Sequence, residues 1–365
     1  MTEAPVAGAA AVRDEDAFDV EAAAGWLREN ATDTAGLDST PDVRQFVGGA
    51  SNLTYLLRYG GGPDEGGRDL VLRRPPSGTK ARGAHDMRRE HDLQAALAPS
   101  FPLVPTMVGY CGDEAVLGSE FYVMERVVGT ILRRDVPGDL GLDAAGVNTL
   151  CRTAVDTLVA LHDVDLEAAG LASLDRGDGY VRRQVEGWTT RYRRARTDDV
   201  GDLEATMAWL AEHQPEDLPH VLVHNDFRFD NLVLAPDDPT RVVGVLDWEL
   251  ATVGDPLMDL GSALAYWVQA DDDPAFLAIR LQPTHTPGML TRAEVVERYL
   301  AARGLDTTPE RWRFYEVFGA FRLAGIAQQI YYRFHAGQTT NPTYGGFREV
   351  VRFLDRRCAE LIAAA

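Results

Sequence analysis

A carboxylate, a carboxamide five residues later and a second carboxylate after one further hairpin are the residues of this chain best placed to do chemistry. They are Asp226 and Asn231 in His224-Asn225-Asp226-Phe227-Arg228-Phe229-Asp230-Asn231, and Asp247 in Val245-Leu246-Asp247-Trp248-Glu249. The apolar lead-in Val221-Leu222-Val223 reads as a strand delivering the first pair, and Asp247 ends a second apolar run. Such a set suits phosphoryl transfer. One Asp accepts a proton from, or orients, an attacking hydroxyl, while an Asn and another Asp hold the Mg²⁺ that neutralises charge on the phosphate. A lone Asp/Asn pair is explained as well by an Asx turn. Asp226 and Asn231 together with the lead-in strand and Asp247 make that coincidence a poor account.

Elements must position these groups. Residues 1 to about 15 are expected to be disordered, and Asp19 to Asn30 reads as a short accessory helix, with Val20, Ala23, Ala24 and Leu27 close to one face. From Val43 the period shortens toward two, giving strands at 43–47, 53–59 and 69–73, and Pro75-Pro76 stops the third. A helix over 84–97 and strands at 106–110 and 121–127 follow, and Gly129 is a natural hinge. Past it the pattern is mostly helical, at 144–162, 180–196, 203–213, 256–269, 292–303, 309–337 and 347–364. The expectation is an α+β chain in three parts. A tail and accessory helix occupy 1–40, a sheet-built nucleotide-binding N-lobe 41–128, and a larger C-lobe carrying the catalytic loop and acceptor-binding helices 129–365.

Several side chains gain meaning from that plan. Gly48-Gly49-Ala50-Ser51-Asn52 joins two strands, and its glycines would let backbone N–H groups approach phosphates, with Gly48, Gly49, Ser51 and Asn52 as candidates. A plain turn explains Gly-Gly alone. On the third strand, Val71 and Arg73 share one face and Arg74 takes the other, so Val71 would roof an adenine and Arg73 would meet the phosphates. Glu90, inside the next helix, is a suitable anchor for that cation, whereas strand-end surface charge is the plain account of Arg73-Arg74. The strand ending at Glu125 to Val127 offers main chain to an adenine edge. His224 reads as a structural hydrogen-bonding residue, Asp255 as a helix cap and Asp259 as a side chain that reaches back to the catalytic-loop backbone. His220 and His224 lack further ligands for zinc.

Composition narrows the partners. The formal charge of -20 argues against a nucleic-acid or anionic-membrane partner, both of which need a basic surface. No apolar run reaches the roughly 18 residues of a spanning helix, and the start of the chain lacks the basic region of a signal peptide. The three cysteines, Cys111, Cys151 and Cys358, are far apart, suggesting neither a disulfide framework nor a metal site, so a reducing cytoplasm fits. No obligate protein partner is evident.

With those residues in view, the chain resembles the aminoglycoside phosphotransferase-like kinases, and more narrowly their acyl-CoA-dehydrogenase-associated branch. His224 to Asn231 is similar to the family's catalytic loop, in which Gly commonly stands where this chain has Asn225, and Leu246-Asp247-Trp248-Glu249 is similar to its metal motif. Val71-Leu72-Arg73-Arg74-Pro75-Pro76, the 184–192 stretch containing Trp188, and Phe321-Arg322-Leu323-Ala324 resemble the narrower branch. The resemblance implies a two-lobed protein-kinase-like fold that binds ATP and Mg²⁺ and transfers the γ-phosphoryl to a small-molecule hydroxyl. It makes Asp226 the catalytic base, Asn231 and Asp247 the metal ligands, and Arg73 with Glu90 the cation and its anchor, with Arg where the wider family has Lys. The narrower branch implies a hydroxyacyl-CoA acceptor, and the wider family also takes antibiotics. Arg228, Trp188, Tyr192, Trp248, Arg322 and Arg333 are the candidates for acceptor contact. A nucleotide-binding regulator that has lost catalysis is the alternative from another class.

Overall fold

The computed structural model describes residues 6–46, 52–76, 86–339 and 341–364, and divides into two compact units. The first comprises Met1–Val128 with Gly244–Glu249, the second Gly129–Val243 with Leu250–Ala365.

A six-stranded antiparallel sheet builds the first unit. Its strands are β1 (Ala9–Ala10), β2 (Asp42–Phe46), β3 (Leu53–Tyr59), β4 (Arg68–Arg74), β5 (Met107–Cys111) and β6 (Phe121–Glu125), in the order β1-β2-β3-β4-β6-β5. Alternation along the strands sorts the side chains. Tyr55 and Leu57 of β3, Leu70 and Leu72 of β4 and Phe121 and Val123 of β6 pack on one face with Ala23 and Leu27 of helix α1 (Val20–Asn30). Val71, Tyr122 and Met124 pack on the other with Met87 of α2 (Met87–Leu97). Each fully buried aliphatic chain among them contributes about 1.5–3 kcal/mol. A short helix α3 (Glu114–Leu117), capped by Asp113, lies between β5 and β6. The N-terminal segment is more ordered than composition suggests. β1 pairs with β2, and buried Arg74 donates to the carbonyl of Asp16 at 2.7 Å and sits 5.4 Å from the Phe18 ring centroid, so a polar, Ala-rich stretch is held by tertiary bonds.

The second unit is helical: α4 (Ala144–His162), α5 (Tyr180–Ala195), α6 (Glu204–Glu212), α7 (Pro256–Leu264), α8 (Pro274–Ile279), α9 (Arg292–Arg303), α10 (Pro309–His335) and α11 (Phe347–Ala363). α10 has 27 residues, about 40 Å at 1.5 Å per residue, and packs against α5, α7 and α11. Glycines let it approach α7: a Cβ on Gly319 would meet the Gly261 carbonyl oxygen at 2.2 Å. Ending α7 at Leu264 rather than 269 follows from side chains that take over the backbone, Thr284 Oγ1 accepting from Val268 N and Asp272 Oδ2 from Gln269 N. β7 (Val221–Val223) pairs antiparallel with β10 (Thr252–Gly254), a strand too short for the sequence pattern to reveal. β8 (Leu232–Leu234) pairs with the strand β9 (Val242–Val245). Among the described residues, no helix is long and apolar enough to cross a membrane. The three cysteines are buried and unpaired.

Candidate active site

In the first unit the chemistry gathers on one guanidinium. Arg73, 8% exposed, points from β4 toward the first turn of α2, where its Nη1 donates to Glu90 Oε1 at 2.6 Å. Tyr122 of β6 donates to the same oxygen at 2.9 Å. Through Nη2, Arg73 reaches Asp247 Oδ1 at 3.2 Å and lies 3.8 Å from Glu249 Oε2, which also accepts from Asn52 Nδ2 at 3.2 Å. One cation thus meets three carboxylates, Glu90 and Asp247 through different nitrogens of a planar fork where a lysine would present a single point charge. Burial opposes the charge of Arg73, but the groups around it, Tyr122, Glu90, Asp247 and Glu249, outweigh burial and its pKa is raised. Burial also pushes the Glu90 carboxyl up despite Arg73. The surface-charge account of Arg73-Arg74 is therefore wrong for both residues, since Arg74 is 5% exposed on the opposite face.

Asp247 has a left-handed backbone, φ 68°, uncommon for a non-glycine residue. Trp248 beside it is buried, its indole N–H donating to the Val245 carbonyl at 2.8 Å and its ring packing edge-on to Phe101. That corrects its candidacy for acceptor contact: Trp248 anchors the turn that carries Asp247. Val71 is buried beside Met87, Tyr122 and Met124 on the Arg73 face, as alternation predicts. Glu125 directs its side chain to Arg68 and its N–H to the Thr106 carbonyl, and the N–H of Arg126 goes to Asp69, so Val127 is the first residue beyond these bonds. Gly48, Gly49 and Ser51 lie outside the described residues.

In the second unit the loop between β7 and β8 is bound from within and from behind. Asn231 donates through Nδ2 to Asp226 Oδ2 at 3.0 Å and to the Asp226 carbonyl at 2.8 Å. With its nitrogen so used, the amide oxygen is the atom Asn231 can offer a cation. Arg228 lies 3.1 Å from Asp226 Oδ1 and 3.2 Å from Asp230 Oδ2, with its guanidinium 4.6 Å from the Tyr266 ring centroid. Burial pushes the Asp230 carboxyl up, against the pull of Arg228. Asp259, 1% exposed in α7, accepts from the backbone N–H of His224 at 2.7 Å and of Asn225 at 2.8 Å, the reach the sequence suggests. Asp255 caps α7 through the N–H groups of Leu257 and Met258. His224 is fully buried and its Nδ1 accepts from Asp226 N at 3.2 Å.

Asn225 has φ 64°, the left-handed region that Gly enters freely and Asn tolerates better than other residues. Its side chain is tied to Tyr180 OH at 3.3 Å and donates to the Leu250 carbonyl at 3.0 Å. Arg322, 5% exposed in α10, donates to the Asn225 carbonyl at 2.5 Å and stacks on Trp188, 5.3 Å from its centroid. Arg191 stacks on the same ring at 4.8 Å, and burial followed by the charge of Arg322 lowers its pKa. Arg322 therefore touches the 224–231 loop and Trp188 touches Arg322, whereas two other candidates do not fit acceptor contact. Tyr192 is fully buried with its hydroxyl donating to the Gly201 carbonyl at 2.6 Å, and Arg333 is exposed eleven residues along α10, about 16 Å from Arg322. Tyr122, Tyr180 and Tyr266 join these groups without a sequence signal, because each reaches them across a long chain separation, and Arg191, one helical turn from Trp188, does so as one of several arginines on its helix.

The residues fit the groups they are expected to hold. The Asp247 carboxylate and the Asn231 amide oxygen are hard oxygen donors of the kind Mg²⁺ takes, and Arg73 Nε is buried without a hydrogen-bond partner among the described residues. A sheet-built unit carrying a buried Arg–Glu pair, and a helical unit carrying an Asp–Asn loop, define a phosphoryl-transfer protein of the protein-kinase-like fold. The chain belongs to the phosphotransferase enzyme family, whose model matches residues 42–315.

Among known proteins it is 33% identical over 351 residues to human acyl-CoA dehydrogenase family member 11, covering 94% of this chain and 43% of that one. The chain spans between 27% and 43% of the length of that protein and its mouse and chicken relatives. Among solved structures, a Ralstonia eutropha protein provisionally named an aminoglycoside phosphotransferase matches with TM-score 0.78 and 31% identity, covering 96% of this chain and 99% of that one. Choline kinase from Cryptosporidium parvum shares the fold, with TM-score 0.61 and 11% identity over 95% of this chain and 96% of that one.

Proposed function

We propose that this chain is an ATP-dependent O-phosphotransferase whose acceptor is a small hydroxylated molecule with an anionic handle, a hydroxyacyl-CoA being the leading case. The observation that carries the reaction class is the Asn231 Nδ2 to Asp226 Oδ2 bond of 3.0 Å, which joins a base and a cation ligand in one loop. Mg²⁺-ATP, when bound, supplies the γ-phosphoryl group. Asp226 orients the acceptor hydroxyl and takes its proton as the new P–O bond forms and the bond to the ADP oxygen breaks. The Asn231 amide oxygen and the Asp247 carboxylate would each serve as a ligand to the metal, which would neutralise charge on the phosphates, and Arg73, kept in place by Glu90, would supply a further cation. Main chain at Glu125 to Val127 would serve the adenine edge and Val71 its ring, and backbone N–H groups at Gly48, Gly49, Ser51 and Asn52 would be donors for the phosphates. Arg322, Trp188 and Arg191 form a cationic and aromatic tier beside the catalytic loop. That tier favours an anionic acceptor over a cationic aminoglycoside, and the names of the curated relatives favour an acyl-CoA.

The test is ATP consumption with Mg²⁺ over a panel of hydroxyacyl-CoAs, simple alcohols and aminoglycosides, run on the parent chain and on Asp226→Asn. Turnover with a hydroxyacyl-CoA that falls on the order of 10²–10⁴-fold in the variant, with nucleotide affinity within about twofold, is expected. Mg²⁺-ATP binding with no turnover on any acceptor would favour a regulator that binds nucleotide without catalysis. Preference for an aminoglycoside would overturn the acceptor class.

A further inference from the structure

Behind the catalytic loop lies a buried chain of hydrogen bonds that none of the roles above uses. His162, the last residue of α4, has no exposed side-chain surface and places Nε2 at 3.1 Å from Asp259 Oδ2. Its Nδ1 lies 2.5 Å from the hydroxyl of Tyr299, a fully buried residue of α9. One set of proton positions satisfies every group. Tyr299 donates to Nδ1, the Nε2 proton goes to Asp259, and Asp259 keeps both oxygens for the N–H groups of His224 and Asn225. An ionised carboxylate this deep is costly without such donors. Burial alone would raise its pKa, but the hydrogen bonds from His162 and from the backbone of His224 outweigh burial, and the pKa of Asp259 is lowered.

We propose that His162 and Tyr299 are positioning residues for the catalytic loop, acting through Asp259 on the backbone that presents Asp226. The reasoning rests on the reading of Asp226 as the base, but its geometry stands apart from that reading. Asn225 must hold a left-handed φ of 64°, and the two N–H groups on Asp259 flank that residue's turn, so freedom at the carboxylate becomes freedom in the turn. Asp259 Oδ2 serves both His224 N and His162, so losing His162 lets the carboxylate rotate away from the loop. Catalytic steps lose about 10²-fold from displacements near 1 Å. Tyr299 matters less, since it fixes the imidazole and not the carboxylate.

Amide hydrogen exchange across residues 221–231, measured on the full chain without nucleotide, reads the proposal directly, and turnover on the best acceptor of the panel reads its consequence. His162→Leu is expected to speed exchange of the loop amides at least tenfold and to lower kcat about 30–100-fold with the KM for ATP within twofold. Tyr299→Phe should change kcat 3–10-fold in the same direction, and His162→Gln, which keeps an N–H donor for Asp259, should recover most of the loss. Unchanged loop exchange in a folded His162→Leu protein would overturn the proposal. So would exchange that rises equally in α10 and the loop, the sign of general destabilisation. Should His162→Leu fail to fold, Tyr299→Phe and His162→Gln carry the same test, and unchanged loop exchange and kcat in Tyr299→Phe would likewise overturn it. If Asp226→Asn keeps full turnover while loop exchange responds as stated, the reading of the base fails and the positioning role stands.

Discussion

The two units hold the carboxylates proposed for the reaction in different ways. In the first, Asp247 is held by charge: Arg73 bridges it to Glu90 and lies near Glu249. In the second, the loop bearing Asp226 is held chiefly through its backbone, with Asp259 accepting two main-chain N–H groups and Arg322 donating to a main-chain carbonyl. Charge pairing can be redistributed when an anionic nucleotide and a cation arrive, because Arg73 has several partners to share. Backbone anchoring fixes a shape and has no such alternatives. The sheet-built unit thus suits ligand-responsive electrostatics, and the helical unit suits a rigid reacting geometry.

Removing an anchor on each side sharpens that contrast. Asp259→Ala should have the largest effect, a stability loss of about 3–5 kcal/mol from leaving the His162 Nε2 proton and two loop N–H groups buried without their acceptor. Its pH dependence has a definite sign. Because the folded pKa of Asp259 is lowered, its contribution is present above the ordinary carboxylate value and is lost as pH falls through the folded value. The gap between parent and Asp259→Ala in chemical denaturation should therefore narrow on acidification through the acid range. A gap independent of pH would mean that the carboxylate is not ionised in the folded chain.

Glu90→Gln tests the other side. The raised pKa of Glu90 means that ionising it opposes folding as pH rises above the ordinary carboxylate value, so removing its charge should cost little stability there. Binding should suffer instead, with the KM for Mg²⁺-ATP rising about tenfold, near 1.4 kcal/mol, as Arg73 swings toward Asp247 and Glu249. A stability loss as large as that of Asp259→Ala would erase the distinction between the two units. The smallest change expected is Asn225→Gly, which keeps the left-handed turn and should lower kcat no more than threefold, whereas Asn225→Val should cost about 1–2 kcal/mol of strain. Equal melting temperatures for the two variants would show that φ at this position does not matter.

Much of this was legible in the residues themselves. Period-two alternation placed Val71 and Arg73 together and Arg74 opposite, and spacing singled out Glu90, Asp226, Asn231 and Asp259, because strand pleat and loop motifs are local properties. Helices such as 144–162 and 292–303 carried their own caps and came out with the observed ends. What escaped was set by distant contacts. Tyr192 and Trp248 look like exposed aromatic recognition residues in a string of letters, and only the packing of Phe321 and Phe101 against them turns them inward. Tyr299 and His162 are 137 positions apart, and no local pattern pairs them. The ordered segment before α1 was missed for the same reason, since Arg74, far down the chain, is what orders it.

That last contact bears on how the protein can be cut. Arg74 is nearly enclosed, and its hydrogen bonds go to the Asp16, Ala17 and Leu117 carbonyls and to the Tyr55 hydroxyl, with Phe18 and Tyr55 stacked on the guanidinium. Trimming the chain to begin at α1 would remove the Asp16 and Ala17 carbonyls and the Phe18 ring, leaving a buried cation with the Tyr55 hydroxyl and the Leu117 carbonyl as its acceptors among the described residues. A segment that looks dispensable by composition is in effect a cork, closing over the cation that lies on the opposite face of β4 from Arg73.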